Sequence, residues 1–147
     1  MQTVQSYNTA ISRKAASAPL RFLQESGLLS GAILDYGCGR GADFDHLKKA
    51  GHTVEAYDPH WRPMDLTGLS FDTILCTYVL NVVSEESESE ILSSIKSLLR
   101  KGGHAFIAVR RDIKKDGKTS RGFQRSVSLD LSVVKENSGY CIYRLSN

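Results

Sequence analysis

Ile33-Leu34-Asp35-Tyr36-Gly37-Cys38-Gly39-Arg40-Gly41 runs from a short apolar stretch into three closely spaced glycines. The next residues, Asp43 to Ala50, have helical character, with Phe44 and Leu47 at i, i+3. Glycine permits a tight turn and lets a ligand approach the backbone closely, and the following helix presents N–H groups with no partner in its own first turn. Spacing alone is ambiguous, because Gly37, Gly39 and Ala42 also satisfy the Gly-x-Gly-x-x-Gly/Ala pattern of dinucleotide sites. Asp35 shifts the balance. A carboxylate two residues before the first glycine repels a pyrophosphate and suits a cationic ligand; the plain alternative is a turn in which Asp35 bonds its own backbone.

Working outward, Ala32 to Tyr36, Thr53 to Tyr57, Phe71 to Thr77 and His104 to Val109 read as strands. Ser17 caps a first helix that carries Pro19 in its first turn and ends at Gly27. The helix from Ser84 to Arg100 places Ile91, Leu92, Ile95, Leu98 and Leu99 on one face. Ser87 and Glu90 have capping-box spacing, and Gly102 and Gly103 follow as its stop. Arg125 to Leu131 and Tyr140 to Leu145 both alternate and are expected to form a closing antiparallel hairpin. Strands alternating with helices predict an α/β fold: a mostly parallel sheet with helices on both faces, and ligands at the carboxyl ends of its strands. Asp58 falls at such an end, 17 residues beyond Gly41, where a carboxylate either accepts ribose hydroxyls or forms an Asp-Pro turn with Pro59.

With 147 residues, 41% hydrophobic and 24% charged, the chain is expected to make one globular domain. Its expected parts are 1–28, an arm and helix; 30–110, the ligand-binding core; and 111–147, a basic loop and hairpin. No apolar run is long enough to span a membrane, and the polar stretch Met1 to Ala16 lacks the pattern of a signal peptide. Three widely spaced cysteines, Cys38, Cys76 and Cys141, suit a reducing cytoplasm. The four histidines lack metal-ligand spacing, so no metal is expected. The net charge of +3 is unevenly spread: residues 100–125 hold nine basic side chains against Asp112 and Asp116. That segment is either a solvated loop or a face for an anionic partner.

As an ordered set, Asp35-x-Gly37-x-Gly39-x-Gly41, Asp58, the strand from Phe71 to Cys76 and the Leu98-to-Gly103 turn resemble the class I (Rossmann-like) S-adenosylmethionine-dependent methyltransferases, over roughly residues 30–110. Ile11 to Lys14, the glycine loop and Tyr78 to Val83 resemble small phage and bacterial methyltransferases, including a group associated with DNA phosphorothioation. The resemblance implies S-adenosylmethionine as cofactor, held by Asp35, Gly37, Cys38, Gly39, Gly41, Asp58, Pro59, Asp65 and Thr77. Asp35 would face the cationic donor and Asp58 its ribose. Asp65 matches the family's adenine-contacting acid by position. Cys38 reads as a small filler of the loop, not a nucleophile. One departure stands out. Only Pro59 to Ser70 lies where the family has a helix and third strand, so that strand is expected to be shortened or missing. Trp61 and Met64 there either flank an adenine or plug the sheet edge.

Methyl transfer is an in-line displacement at an activated carbon, so alignment supplies most of the effect and no catalytic triad is expected. A base helps only where the acceptor must lose a proton. Tyr78, Asn81 and Arg110 are the candidate catalytic residues, at or just beyond strand ends. Asn81 either orients an acceptor or caps the Val82-Val83 turn. An Asn/Asp-Pro-Pro-Tyr/Phe motif is absent, which disfavours adenine-N6 or cytosine-N4 as the acceptor. Arg13, Lys14, Arg111, Lys114, Lys115, Lys118 and Arg121 are expected to meet a nucleic acid or other anionic substrate. A small-metabolite methyltransferase, a non-catalytic cofactor-binding module and a dinucleotide-binding oxidoreductase are the other readings.

Overall fold

A computed structural model of the chain describes residues 15–119 and 122–147. Arg13, Lys14 and Arg121, with the rest of the arm, lie outside the described residues. The elements are α1 (Ala18–Glu25), β1 (Ile33–Tyr36), α2 (Ala42–Lys49), β2 (Val54–Tyr57), β3 (Phe71–Thr77), a 3₁₀ turn (Leu80–Val82), α3 (Glu85–Leu98), β4 (Leu99–Arg110), β5 (Gly117–Thr119), β6 (Gly122–Gln124), β7 (Ser132–Glu136) and β8 (Tyr140–Ser146). The main sheet has the order β2-β1-β3-β4-β8-β7. Its first four strands run parallel, and β8 is antiparallel to both β4 and β7. A separate small ribbon pairs β5 with β6.

Strands buried on both faces explain the apolar runs Ile74 to Cys76 in β3 and Ala105 to Val109 in β4. On one face Leu20 and Leu23 of α1 and Leu47 of α2 pack with Ile33, Leu75, Phe106 and Ile142. On the other, Ile91, Ile95 and Leu98 of α3 pack with Leu34, Ile74, Ala105 and Ile107. Each such side chain contributes about 1.5–3 kcal/mol when fully buried. Ser17 caps α1 by accepting from Leu20 N–H (3.4 Å). Its own N–H and Oγ donate to the buried Asp43 carboxylate at 2.8 and 2.6 Å, which ties the start of α1 to the first turn of α2.

The third strand is missing: among the described residues, 59–70 contribute only an isolated bridge between Asp58 and Arg62, and β2 is a sheet edge. Three other expectations are corrected. The final hairpin pairs β7 with β8, not residues 125–131 with 140–145. Val127, Leu129 and Leu131 do pack against the core, but their backbone joins no strand, because Arg125 anchors the segment to the residues after β3. The cap of α3 is Ser84, whose side chain accepts from Ser87 N–H at 3.1 Å, so Ser87 lies inside the helix. And β4 begins at Leu99, ahead of the two glycines, because Leu99 pairs with Phe71 before a bulge shifts the register to Thr73 and His104. A side chain at Gly103 would press within 2.9 Å of the Asp72 carbonyl, which explains why a glycine crosses that bulge. Among the described residues no helix is long and apolar enough to cross a membrane.

Candidate functional site

At the carboxyl end of the sheet, β1 delivers Asp35 and the glycine loop beside the end of β2. Gly37 and Cys38 N–H both donate to Tyr57 O, at 2.7 and 2.9 Å. Gly39 N–H donates to Asp58 Oδ2 at 2.9 Å. The other oxygen, Asp58 Oδ1, accepts from His60 and Trp61 N–H at 2.9 and 3.0 Å. Reciprocal backbone bonds of 3.0 Å between Asp58 and Arg62 close this turn. A carboxylate has about four acceptor sites, so about one remains, on Oδ2. Asp58 is therefore both the peg that holds the loop and an acceptor with spare capacity.

Gly37 has φ +79°, and a Cβ there would run into Val79 Cγ2. Close packing and a left-handed backbone both demand glycine at this position. Gly41, at φ +89°, caps α2 with no side chain of its own, leaving bare backbone at the helix start. Asp35 is buried at 4% exposure. Burial, then the Asp35 and Asp58 charges, push the Cys38 thiol up to about 12, against a smaller opposing effect of Arg62. Burial and the Asp35 charge likewise raise the fully buried Cys76 thiol. Cys38 is thus inert at neutral pH, and its shift registers two carboxylates converging on one loop. Two buried acids beside a glycine turn suit a cation that also carries hydroxyls.

Pro59 is exposed, and Thr77 is half-buried at the end of β3. Asp65 is exposed, unlike Asp35 and Asp58; its Oδ1 accepts from Thr67 N–H at 3.0 Å, and bonds from the Thr67 side chain and backbone hold its carboxyl below the ordinary range. Trp61 does not plug the sheet edge, being 37% exposed.

Tyr78, directly after β3, adopts φ +62°, the one non-glycine positive φ among the described residues. A left-handed backbone costs such a side chain about 1–3 kcal/mol, and strain of this kind clusters at functional sites. Its N–H donates to Ala108 O at 2.8 Å, and its half-buried ring packs beside the α1 face. Arg110 forms a fork on Asp112 (2.8 and 2.9 Å). Its pKa is raised chiefly by that bond, with a further contribution from the neighbouring Tyr78. The exits of β3 and β4 thus bring Tyr78 and Arg110 together.

Asn81 is placed as a brace between two segments. It is 1% exposed; its Oδ1 accepts from Arg110 N–H at 2.8 Å and its Nδ2 donates to Arg125 O at 3.0 Å. The amide is committed to joining β4 to the segment after β6. Arg125, itself buried, donates to Val83 O (2.6 Å) and pairs with Glu88 (2.7 Å). Arg111 likewise turns inward, donating to Glu136, Val127 O and the Tyr143 hydroxyl at 2.8, 2.7 and 2.7 Å. Three of its five donors are thereby taken. Lys114, Lys115 and Lys118 are exposed.

Two residues were passed over as site candidates. Arg40 lies 4.6 Å over the Trp61 ring, and Arg62 lies 4.8 Å over Phe44 beside Gly41. The signal for them is indirect: β1 and β2 are paired neighbours, so the residues that follow each strand must meet.

A family model described as a methyltransferase domain matches residues 7–129. A SAM-dependent methyltransferase from Bacteroides fragilis, solved with S-adenosylhomocysteine, is 19% identical, with a TM-score of 0.65 over 91% of this chain and 78% of that one. The 1,6-didemethyltoxoflavin-N1-methyltransferase of Burkholderia thailandensis, also solved with S-adenosylhomocysteine, is 21% identical, with a TM-score of 0.64 over 89% and 77%. A structure from work on conversion of a disulfide bond into a thioacetal group during echinomycin biosynthesis is 24% identical, with a TM-score of 0.59 over 67% of this chain; the chain spans about half (52%) of that relative. No curated protein matches the chain.

Proposed function

The chain belongs to the methyltransferase-domain family, and on that premise we propose that it transfers the methyl group of S-adenosylmethionine to a nucleic acid or nucleotide. The observation that carries the cofactor is the pair of buried acids, Asp35 and Asp58, flanking a glycine loop in left-handed backbone. Asp35 would face the donor's positive charge, and the spare acceptor site on Asp58 Oδ2 would take a ribose hydroxyl. Gly37, Gly39 and Gly41 would shape the turn around it, their N–H groups being held by Tyr57 O, Asp58 Oδ2 and Cys38 O, with Cys38, Pro59 and Thr77 as lining. Asp65 would join them at the adenine edge only by leaving its own turn. When bound, the cofactor supplies a methyl carbon already activated by its sulfonium. The protein's part is alignment. Tyr78, aimed by its strained backbone, and Arg110, fixed by Asp112, are proposed to orient the acceptor.

Exposed Lys114, Lys115 and Lys118 beside this exit support an anionic acceptor. The resemblance to small phage and bacterial methyltransferases, which include a group associated with DNA phosphorothioation, is in keeping with this reading. The inward pairing of Arg111 favours a second reading, a small uncharged acceptor. The test is methyl-label transfer from S-adenosylmethionine into separated DNA, RNA, protein and metabolite fractions. Label in a nucleic-acid or nucleotide fraction supports the proposal; label confined to other metabolites selects the second reading. Cofactor binding with no transfer to any fraction leaves a binding module, and preference for NAD in calorimetry overturns the family's cofactor here.

A further inference from the structure

The turn that replaces the missing strand carries an aromatic and basic surface beside the glycine loop. Trp61 stands 37% exposed, with the Arg40 guanidinium 4.6 Å over one side of its ring and His60 against it edge-on at 4.8 Å. Next to it, Arg62 and Lys48 both lie over Phe44, at 4.8 and 5.5 Å. Arg100, Arg110, Arg111 and Arg125 are each tied to a carboxylate. Arg40 and Arg62 have no such ion pair among the described residues; each lies over an aromatic ring. The Asp58 carboxylate is buried and occupied by the N–H groups of Gly39, His60 and Trp61. An exposed indole beside two arginines with unspent donors pairs a stacking face with phosphate-binding forks.

We propose that Arg40, Trp61 and Arg62 form a docking surface for single-stranded nucleic acid, with a base stacked on Trp61 and the flanking phosphates on the two arginines. This rests on the nucleic-acid reading of the acceptor and names where the strand is held. Base stacking tolerates any base, and guanidinium forks match phosphate oxygens. The surface lies against the glycine loop, through Arg40 within it and Arg62 beside Gly41, so a strand bound there runs past the methyl donor's site.

Trp61 is the sole tryptophan of the chain, so its emission reports the surface directly. The full chain is titrated with 12-nucleotide single-stranded DNA and RNA of mixed sequence, with duplex DNA, and with heparin as a polyanion without bases. A saturable change in Trp61 emission with single strands, and none with heparin, is expected. Trp61→Ala, followed by anisotropy of a labelled strand, should weaken binding about 5–150-fold. Arg40→Gln combined with Arg62→Gln should lower the salt slope of binding by about one to two. Unchanged emission with single strands, or an equal response to heparin, overturns the proposal. So does a Trp61→Ala variant that loses affinity for S-adenosylmethionine and keeps it for the strand. Calorimetry of S-adenosylmethionine on the unaltered chain runs in parallel. If the cofactor binds while Trp61 stays silent, only the docking surface fails; if it does not bind, the methyl-transfer reading fails.

Discussion

Replacing Asp58 by Asn removes one charge and one acceptor while keeping the side chain's shape. Asp58 receives three backbone N–H groups, two on Oδ1 and one, from Gly39 at 2.9 Å, on Oδ2. If the new carbonyl keeps the Oδ1 pair, the new amide nitrogen faces Gly39 N–H, donor against donor. That costs about 1.5–3 kcal/mol for a hydrogen bond to a charged group, and the two surviving bonds weaken as the acceptor becomes neutral. The ribose acceptor on Oδ2 goes with it. Asp58→Asn should therefore lower unfolding free energy by about 2–4 kcal/mol and weaken S-adenosylmethionine binding by about 1–3 kcal/mol, or about 5–150-fold. Urea unfolding and calorimetry read the two effects separately. Lower stability with full affinity would make Asp58 a peg alone. Unchanged values in both would refute the reasoning, since the carboxylate would then be holding nothing.

Gly37→Ala combines a left-handed backbone, about 1–2 kcal/mol, with a methyl pressed into Val79 Cγ2, so both melting temperature and cofactor affinity should fall. Adding Val79→Ala should restore part of the lost affinity; a double variant no better than the single one would show the contact is irrelevant. Asn81→Ala strands a buried Arg110 N–H and Arg125 carbonyl, and should lose about 2–4 kcal/mol in denaturant titration. A loss below about 0.5 kcal/mol would remove Asn81 from the role of brace. With its thiol pushed up to about 12, Cys38 should resist iodoacetamide in the folded chain at pH 8, where the thiolate is a trace species. Rapid labelling of Cys38 by mass spectrometry would contradict its burial first, and the two carboxylates beside it second.

The parts legible in the sequence are those whose cause is local. The strand, glycine loop and helix from Ile33 to Lys49 announce themselves because the turn can be made only by glycine. The same holds for Phe71–Thr77, a run apolar enough to need burial on both faces. Counting residues between Asp58 and Phe71 was enough to foresee the missing strand, since twelve residues cannot hold a helix and a paired strand. What was misread depends on partners distant in the chain. The alternation of Val127, Leu129 and Leu131 registers burial, which a strand and an irregular segment share; the choice is made by Arg125, bonded to Val83. Nor does the sequence show that the side chains of Asn81 and Arg111 bond residues 29 and 25 positions away. Ser84 and Ser87 both offer a hydroxyl, and the chain's exit from the buried Val83 selects Ser84 as the cap.

The left-handed turn at Tyr78 also bears on any effort to harden this protein. Backbone energetics alone favour Gly or Asn at that position, so a screen ranked by melting temperature would tend to select them. Such a variant would relax the angle that aims the ring across the exit of β3 and would discard the aromatic wall beside Arg110. If Tyr78 has the proposed role, durability and turnover are set against each other at a single torsion, and selection for heat resistance would cost activity there.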